Sequence, residues 1–273
     1  MINFQKLEGI GNDFILLDSR VNSFMPTAKQ AVKWCDRRFG IGADGILVLL
    51  KPKRDADFKM RILNSDGSEP EMCGNGIRCL AQYVYSHNLT QKPSIKVETI
   101  AGPVNVEKQG ELFRVALGRP DFDPKKVPVK SKEPVIRKTL SVGGKDYKVT
   151  CLSVGNPHCV IVVPKVDKVP LAEVGPLIEN YKWFPKRVNV EFVQVVSKKQ
   201  IKMRVWERGA GETLACGTGA CAAVAACAKM GLTDNKVKVS LPGGELTIDW
   251  KEFCFLTGPA RFVYQGWFDP QKF

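Results

Sequence analysis

Two short glycine-rich segments, each opening on a cysteine, are the residues best suited to do chemistry. They are Cys73-Gly74-Asn75-Gly76 and Cys216-Gly217-Thr218-Gly219, and residues with helical spacing follow each of them. A cysteine directly before a helix faces free N–H groups and the positive end of the helix dipole, which lower the pKa of a thiol. The glycines allow a ligand to approach the backbone closely, and the free N–H groups suit a carboxylate. We therefore expect thiol chemistry on a molecule that carries a carboxylate.

Two segments of this kind suit racemisation or epimerisation, because one can act on each face of a substrate. One thiolate would remove the α-proton of an amino acid while the other thiol delivers a proton to the opposite face. The developing enediolate needs electrostatic stabilisation, which helix N-termini supply, and no pyridoxal-binding lysine is required. Cys73 and Cys216 are therefore the candidate acid and base. The alternative is that both are buried and inert, but an inert cysteine need not recur at both helix starts.

The sequence is an internal duplication. Cys73 and Cys216 lie 143 residues apart (216 − 73), and the glycines that follow them share this offset. Near the start of each half, Gly11-Asn12 matches Gly155-Asn156 at an offset of 144 (155 − 11). Matching blocks in the same order indicate two copies of one unit.

Each copy combines short β-type runs with one helix that begins at its cysteine segment. The first helix is predicted to reach about Ser86, and the second covers residues 218–230. The second is rich in alanine and cysteine almost all round, which is typical of a helix enclosed by sheet. The predicted domains are residues 1–118 and 119–261. The predicted strands are 14–18, 46–50, 58–63, 95–99, 104–106, 112–117, 148–154, 159–163, 189–196, 201–206, 237–240, 246–250 and 253–257.

The composition of the chain argues against several classes of protein. The chain lacks an apolar run of the roughly 18 residues that span a membrane, and its start lacks a signal-peptide pattern, so we expect a soluble cytoplasmic protein with no membrane partner. The net charge of +13 comes from scattered lysines without a nucleic-acid motif, which favours a solvated surface over a basic nucleic-acid-binding module. The nine cysteines include no Cys-x-x-Cys pair and are odd in number, which argues against zinc ligation and a disulfide framework.

Several polar residues near the cysteine segments are candidates for substrate binding. Asn64 and Glu207 occupy the same position in the two copies, each at the end of a strand that leads to its cysteine segment. Arg208 follows, and a carboxylate is the natural partner of its guanidinium, although a surface ion pair with Glu207 is the alternative. The other candidates are the asparagines of the matched turns and of a later strand, Asn12, Asn156 and Asn189.

In combination, these motifs closely resemble the diaminopimelate epimerase family. The resemblance extends from the N-terminus to about Trp267 and so covers nearly the whole chain. A Cys-Gly-x-Gly segment alone would be a weak signal, whereas the full set is highly specific. The matching segments are Gly9-Ile10-Gly11-Asn12-Asp13-Phe14, Asn64-Ser65-Asp66-Gly67-Ser68-Glu69, Cys73-Gly74-Asn75-Gly76, Gly155-Asn156-Pro157-His158, Glu207-Arg208-Gly209-Ala210-Gly211-Glu212 and Cys216-Gly217-Thr218-Gly219-Ala220.

The resemblance implies an isomerase that converts LL-diaminopimelate to the meso form, for lysine and cell-wall synthesis, without cofactor or metal. It implies an α/β fold of the α+β type with two duplicated domains, each a mixed, mostly antiparallel sheet wrapped around a central helix. The C-terminal segment 262–273 would return to the first domain as a strand. The implied partners are the small-molecule substrate and a second copy of the chain, with Tyr264 at a homodimer interface.

The resemblance also implies roles for individual residues. The backbone of Gly74-Asn75 and of Gly217-Thr218 would hold the reacting α-carboxylate. His158 and Glu207 would help to set the pKa values of the two thiols, and Arg208 would bind the distal carboxylate. The residues that would recognise the substrate are Asn12, Asn64, Asn156, Asn189, Glu207 and Arg208.

One departure from the family pattern concerns Gly45. Many members have a glutamine at this place, after the aspartate of a Gly-x-Gly-x-Asp segment, whereas Asp44 is followed here by glycine. A side-chain contact to the substrate is therefore absent or supplied otherwise.

Three other functions are the alternatives. Proline and hydroxyproline racemases typically carry a histidine in the first cysteine segment, where this chain has Asn75, and have less use for Arg208. Phenazine-biosynthesis-like isomerases lack the cysteine pair. A thiol redox protein would form a reversible Cys73–Cys216 disulfide.

Overall fold

The computed structural model describes residues 1–53 and 55–270. In this part of the chain, seventeen strands, four α-helices and one short 3₁₀-helix follow one another. In order they are β1 Ile2–Gly9, β2 Asn12–Asp18, α1 Ala28–Cys35, β3 Gly45–Leu50, β4 Phe58–Asn64, α2 Gly74–Ser86, β5 Ser94–Thr99, β6 Gly102–Gln109, β7 Leu112–Gly118, β8 Lys138–Val142, β9 Lys145–Ser153, β10 Pro157–Val162, the 3₁₀-helix Val166–Lys168, α3 Leu171–Glu179, β11 Asn189–Ser197, β12 Gln200–Glu207, β13 Gly211–Thr213, α4 Gly217–Lys229, β14 Lys236–Leu241, β15 Gly244–Trp250, β16 Cys254–Pro259 and β17 Arg261–Phe268.

Contacts divide the chain into two compact units. The first consists of Met1–Val115 together with the described part of Gly258–Phe273, and the second of Ala116–Thr257. The C-terminal strand β17 pairs antiparallel with β1 inside the first unit. The last three residues of the predicted return segment, 271–273, lie outside the described residues.

The first unit surrounds helix α2 with sheet. Strand β1 pairs antiparallel with β2 and β17, β2 runs parallel to β3, and β3 pairs antiparallel with β4. Strand β4 runs parallel to β5, and β5, β6 and the start of β7 form antiparallel pairs. Helix α2 has apolar residues at helical spacing, and these are fully buried. They are Ile77, Leu80, Ala81 and Val84.

The second unit repeats this plan around helix α4. Strands β8, β9 and β10 form antiparallel pairs, β10 runs parallel to β11, and β11 pairs antiparallel with β12. Strand β14 runs parallel to β12 and pairs antiparallel with β15. Strand β15 in turn pairs antiparallel with β16. Side chains from Ala220 to Cys227 are all buried, because alanine and cysteine are small enough to let sheet approach every face of the helix.

Strand registers show that the two units are copies. The parallel pair β2–β3 begins with Phe14 opposite Gly45, and the parallel pair β10–β11 begins with His158 opposite Asn189. Both residues of the second pair follow their counterparts by 144 (158 − 14 and 189 − 45). The predicted fold class, two duplicated domains with a mixed, mostly antiparallel sheet around a central helix, is confirmed.

Several elements differ from the sequence-based expectations. Both central helices were expected and begin directly after their cysteines, at Gly74 and Gly217. Six elements were not expected, and each has a weak local pattern. Two of them, strand β13 and the 3₁₀-helix, have only three residues each. Strand β1 carries the polar residues Gln5 and Lys6, while helix α1 has only eight residues. Strand β8 has five residues of mixed polarity, and helix α3 contains Pro176.

No helix within the described residues is long and apolar enough to cross a membrane.

The close packing of α4 generates a prediction about stability. Ala225 is fully buried, whereas Ala228, one turn closer to the end of the same helix, is partly exposed. We expect Ala225→Leu to lower the free energy of unfolding by about 1–3 kcal/mol, because extra methylene groups force the surrounding sheet apart. Ala228→Leu is the matched control and should change it by less than half as much. Equal effects in urea unfolding would contradict this packing.

Candidate active site

Cys73 forms the N-cap of helix α2. Its backbone is extended, with φ −137° and ψ 120°, and its Sγ accepts a hydrogen bond of 3.4 Å from the Gly76 N–H. The Sγ also lies 3.8 Å from Oδ1 of Asn12, which accepts a bond of 3.1 Å from the side-chain amide of Asn75. The structure thus brings together three residues that the sequence placed in the site. Among the nine cysteines, Cys73 is the one that is not buried.

An ion-pair network holds Asn12 in place. Its side-chain amide donates a bond of 2.7 Å to Asp44, and Arg37 bonds both Asp44 and Asp13. Lys6 lies 2.7 Å from the Asp13 carboxylate. Burial opposes ionisation of Asp13, but the hydrogen bonds from Arg37 and Lys6 outweigh it and hold the pKa of this carboxyl below its ordinary value. The turn before β2 is therefore fixed by charged side chains.

Cys216 forms the N-cap of helix α4 in the same way. Its φ is −126° and its ψ is 110°, and its Sγ accepts a bond of 3.4 Å from the Gly219 N–H. The hydroxyl of Thr218 lies 3.6 Å from the sulfur and 3.3 Å from the side-chain amide of Asn156. Asn156, Cys216 and Thr218 thus form the counterpart of Asn12, Cys73 and Asn75.

A buried pair of polar side chains lies behind the Cys216 segment. His158 Nδ1 is 2.6 Å from Oε1 of Glu191, and both side chains are fully buried. The other ring nitrogen lies 2.8 Å from Oδ1 of Asn156. A Cβ added to Gly219 would lie 2.9 Å from Glu191 Oε1, so this carboxyl sits directly against the first turn of α4. Glu191 Oε2 is buried with no hydrogen-bond partner within the described part of the chain.

Glu191 is the residue of this site that sequence reasoning missed. It lies between Val190 and Phe192 in a predicted strand, outside the motifs that repeat in the two copies. The available signal was a charged residue in a strand whose neighbours are all apolar, since a carboxylate is rarely buried without a partner.

The electrostatics of Cys216 differ from the expectation. Burial raises the pKa of the Cys216 thiol well above its ordinary value, and the carboxylates of Glu207 and Glu191 raise it further. Hydrogen bonds from Thr218 and the Gly219 N–H act in the opposite direction without cancelling this effect. The helix start does lower the thiol pKa of Cys216, through the Gly219 N–H, but the net direction is upward because desolvation and the nearby carboxyl groups dominate. Burial also raises the pKa of Glu191 against the attraction of His158.

The remaining predicted site residues differ in their surroundings. Asn189 is buried, and its side chain bonds the Pro157 carbonyl and the Arg208 N–H at 2.9 Å each. Arg208 is exposed, and its guanidinium donates to the carbonyl of Lys186 at 3.1 Å. Asn189 therefore positions the start of the segment that presents Arg208.

Asn64 and Glu207 end the equivalent strands β4 and β12, as expected from the duplication. The Asn64 amide donates to the Ser68 hydroxyl at 2.9 Å. Glu207 accepts a hydrogen bond from the hydroxyl of Thr213. Both side chains are thus bonded by a residue of the segment that follows their strand, Ser68 in the turn after β4 and Thr213 in β13.

The backbone explains the glycine at position 45. A Cβ added to Gly45 would lie 2.7 Å from the carbonyl oxygen of Leu63 on the neighbouring strand β4. Real Cβ atoms do not approach a backbone oxygen so closely, so the glutamine common in the family is not accommodated here without a shift of the sheet.

The other seven cysteines are buried and behave as small apolar side chains. Burial raises the pKa of Cys35 and of Cys227 to about 12. No group of three or more His, Cys, Asp or Glu side chains within the described residues is arranged to hold a metal ion.

Comparison with known proteins identifies the family. The sequence profile described as diaminopimelate epimerase matches residues 4–122 and 150–263. The chain belongs to the diaminopimelate epimerase family. It is 47% identical over 274 residues to the diaminopimelate epimerase of Acetivibrio thermocellus, covering 97% of this chain and 98% of that protein. Identity to the enzyme of Pelotomaculum thermopropionicum is 49% over 275 residues, again covering 97% and 98%. The chloroplastic enzyme of Oryza sativa subsp. japonica is 46% identical, with 97% of this chain and 79% of that protein covered.

Solved structures with low sequence identity share the fold. A PhzF-family phenazine biosynthesis protein from Bacillus anthracis aligns with a TM-score of 0.71 at 16% identity, covering 97% of this chain and 98% of that one. A hydroxyproline epimerase from Agrobacterium vitis aligns with a TM-score of 0.71 at 12% identity, covering 97% and 91%. At such identities the likeness concerns the fold alone.

The buried pair of His158 and Glu191 generates the second prediction. The first copy has Phe14 and Leu47 at the corresponding positions, 144 residues earlier (158 − 14 and 191 − 47). We expect Glu191→Leu or His158→Phe alone to lower the free energy of unfolding by about 3–5 kcal/mol, because each leaves a buried polar partner behind. The double variant copies the apolar pair of the first unit and should recover at least about 1 kcal/mol of the summed loss. Additive losses in urea unfolding would contradict a coupled pair.

Proposed function

We propose that this protein interconverts LL- and meso-diaminopimelate by proton transfer between the substrate and two thiols, those of Cys73 and Cys216. The observation that carries the proposal is the repeated cysteine N-cap, with each sulfur bonded to an N–H of the first helical turn. An inert thiol would not need this arrangement in both copies of a duplicated family member. We retain residues 1–118 and 119–261 as the proposed domains, each supplying one cysteine.

The proposed reaction is balanced by two proton transfers. In one direction, the Cys73 thiolate takes the α-proton from one face of the substrate, and the electron pair of the C–H bond moves into the carboxylate to form an enediolate. The Cys216 thiol then gives its proton to the opposite face of the α-carbon, which inverts it. The protein is left with a Cys73 thiol and a Cys216 thiolate, and the reverse reaction or proton exchange with water restores it. This chemistry needs no cofactor and no metal.

The raised pKa of Cys216 fits the acid role in this direction. Burial, and after it the carboxyl groups of Glu207 and Glu191, raise the pKa of the Cys216 thiol, so it keeps its proton until a stronger base, the enediolate carbon, is present. The predicted roles of Glu207 and His158 in setting thiol pKa values therefore extend to Glu191, which orients His158.

The substrate is proposed to bind through its carboxylates. The N–H groups of Gly74-Asn75 and Gly217-Thr218, at the two helix starts, would hold the α-carboxylate and stabilise the enediolate. The exposed guanidinium of Arg208 would bind the distal carboxylate, which a proline-type substrate lacks. The asparagines proposed to contact the rest of the substrate are Asn12, Asn64, Asn156 and Asn189.

Proton NMR of LL-diaminopimelate in D₂O tests the function. With reduced protein, chelator and no pyridoxal phosphate, we expect the α-proton signal to disappear as the meso isomer grows. Cys73→Ala and Cys216→Ala should each slow epimerisation at least ~100-fold, because inversion needs an acid and a base together. Cys227→Ala, at the far end of α4, is the control and should retain activity.

Two outcomes would contradict the proposal in different ways. A single cysteine variant that epimerises at nearly the wild-type rate would exclude the two-base mechanism. If the α-proton of proline or hydroxyproline exchanged with D₂O, but that of diaminopimelate did not, the proposed substrate would be wrong.

The protein is further proposed to act in the cytoplasm as a homodimer, with strand β17 at the interface. The side chains of strand β17 are largely exposed, although many of them are apolar, including Phe262, Val263 and Trp267. Tyr264 is 41% exposed and packs edge-on against Phe4 of β1, with ring centroids 5.9 Å apart. Apolar side chains on an exposed strand are normally covered, and a second copy of the chain is the proposed cover.

Light scattering coupled to size exclusion tests the interface. We expect the wild-type chain to elute as a dimer and Trp267→Glu to weaken association at least ~100-fold, because it places a charge in an apolar contact. Val196→Glu is the control, since Val196 is comparably exposed on strand β11. A dimer that survives Trp267→Glu and Tyr264→Glu together would rule out this face.

A further inference from the structure

Arg78 is a buried cation beside the Cys73 segment. It lies in the second turn of α2 and is fully buried. Its guanidinium donates three hydrogen bonds: 3.1 Å to the Pro259 carbonyl, 2.9 Å to the Gly74 carbonyl and 3.0 Å to Oδ1 of Asn75. All three acceptors are neutral, and no carboxylate within the described residues forms an ion pair with Arg78.

A buried charge without a counter-charge is costly, so an anion is expected nearby. Burial lowers the pKa of Arg78, and the groups that act in the opposite direction are Cys79, Cys73 and Glu8. Burial raises the pKa of Cys79, so its thiol stays neutral. The Glu8 carboxylate accepts a bond of 2.9 Å from the Gly11 N–H and lies outside ion-pair range of the guanidinium. Two anions could therefore neutralise the Arg78 guanidinium: the Cys73 side chain as a thiolate, or the carboxylate of a bound molecule.

The hydrogen bonds of Arg78 also fix the groups around Cys73. The bond to the Gly74 carbonyl holds the Gly74–Asn75 peptide, whose N–H points away from that carbonyl because the peptide is planar and trans. The bond to the Asn75 side chain orients its amide toward Asn12 Oδ1, which lies 3.8 Å from the Cys73 sulfur. One guanidinium therefore orients both the peptide and the side chain at the start of the helix.

The second copy lacks this cation. At the offset of 143, Arg78 corresponds to Cys221 (221 − 78), which is buried. A Cβ added to Gly76 would meet the apolar side chains of Leu47 and Phe14, whereas at Gly219 it would meet the carboxyl of Glu191. Equivalent cysteines thus have different buried groups behind them: the guanidinium of Arg78 behind Cys73, and the carboxyl of Glu191, paired with His158, behind Cys216.

We propose that Arg78 is a positioning residue whose buried charge favours the thiolate of Cys73 and whose hydrogen bonds hold the Gly74–Asn75 peptide ready for the substrate carboxylate. The two copies of the unit are therefore prepared for different tasks, a thiolate at Cys73 and a thiol at Cys216. The part of this inference that concerns the substrate carboxylate rests on the proposed function, whereas the part that concerns the thiolate does not.

Alkylation of Cys73 by iodoacetamide at a series of pH values tests the charge role of Arg78 separately from its positioning role. The label on Cys73 is quantified by mass spectrometry of its peptide, without any substrate. We expect Arg78→Gln to move the midpoint of Cys73 alkylation upward by about 1 pH unit or more, because a neighbouring cation no longer favours the thiolate. Arg78→Lys keeps the charge and should leave the midpoint within a few tenths of a unit. Cys221→Ala changes the equivalent position of the second copy and should also leave it unchanged.

Diaminopimelate epimerisation supplies the second readout. Arg78→Lys should lower kcat/KM about 10- to 100-fold although Cys73 stays reactive, because an ammonium group cannot make the same three planar bonds. An unchanged alkylation midpoint in folded Arg78→Gln would overturn the charge role. If that variant does not fold, a raised midpoint in Arg78→Lys overturns it instead. Normal epimerisation by Arg78→Lys would overturn the positioning role. A wild-type protein that fails to epimerise leaves the alkylation result valid and rejects only the proposed function.

Discussion

The hydrogen bond from a helical N–H to a cysteine sulfur is the interaction on which this structure depends. Gly76 makes it to Cys73 and Gly219 makes it to Cys216, each at 3.4 Å. The geometry exists only if the cysteine is extended and the helix begins at the next residue. Each helix is in turn held by surrounding sheet, so that the fold of a whole unit serves to place one sulfur at one helix start.

The duplication explains both what the two units share and how they differ. Backbone features, the N-cap, the glycines and the parallel pair of strands, are repeated, because they depend on the fold of the unit. The buried ionisable groups are not repeated: Arg78 lies behind Cys73, whereas His158 and Glu191 lie behind Cys216. The proposed two-base reaction needs an acid and a base at the same moment. In this proposal, the different buried groups give the two thiols different affinities for the proton.

Local patterns in the sequence predicted the two central helices, most strands and the cysteine N-caps, because these follow from periodicity and from residues adjacent in the chain. Arg78 could not be found in this way, and Glu191 only as a charged residue between apolar neighbours, since their importance comes from burial among distant residues. The raised pKa of Cys216 was missed for the same reason: the helix start is visible in the sequence, whereas Glu207 and Glu191 near the sulfur are not. Short elements such as α1 were missed because eight residues carry too little periodic signal.

The unequal ionisation of the two thiols is the central claim of this account. It is tested most directly by ¹³C NMR of protein labelled at the Cβ of cysteine, followed through a pH titration, with Cys73→Ala and Cys216→Ala used to assign the two signals. The account predicts that Cys73 ionises at a pH at least about 1 unit lower than Cys216, because Arg78 lies near Cys73 whereas Cys216 is buried near Glu207 and Glu191. Ionisation of Cys216 first, or of both thiols together, would contradict it.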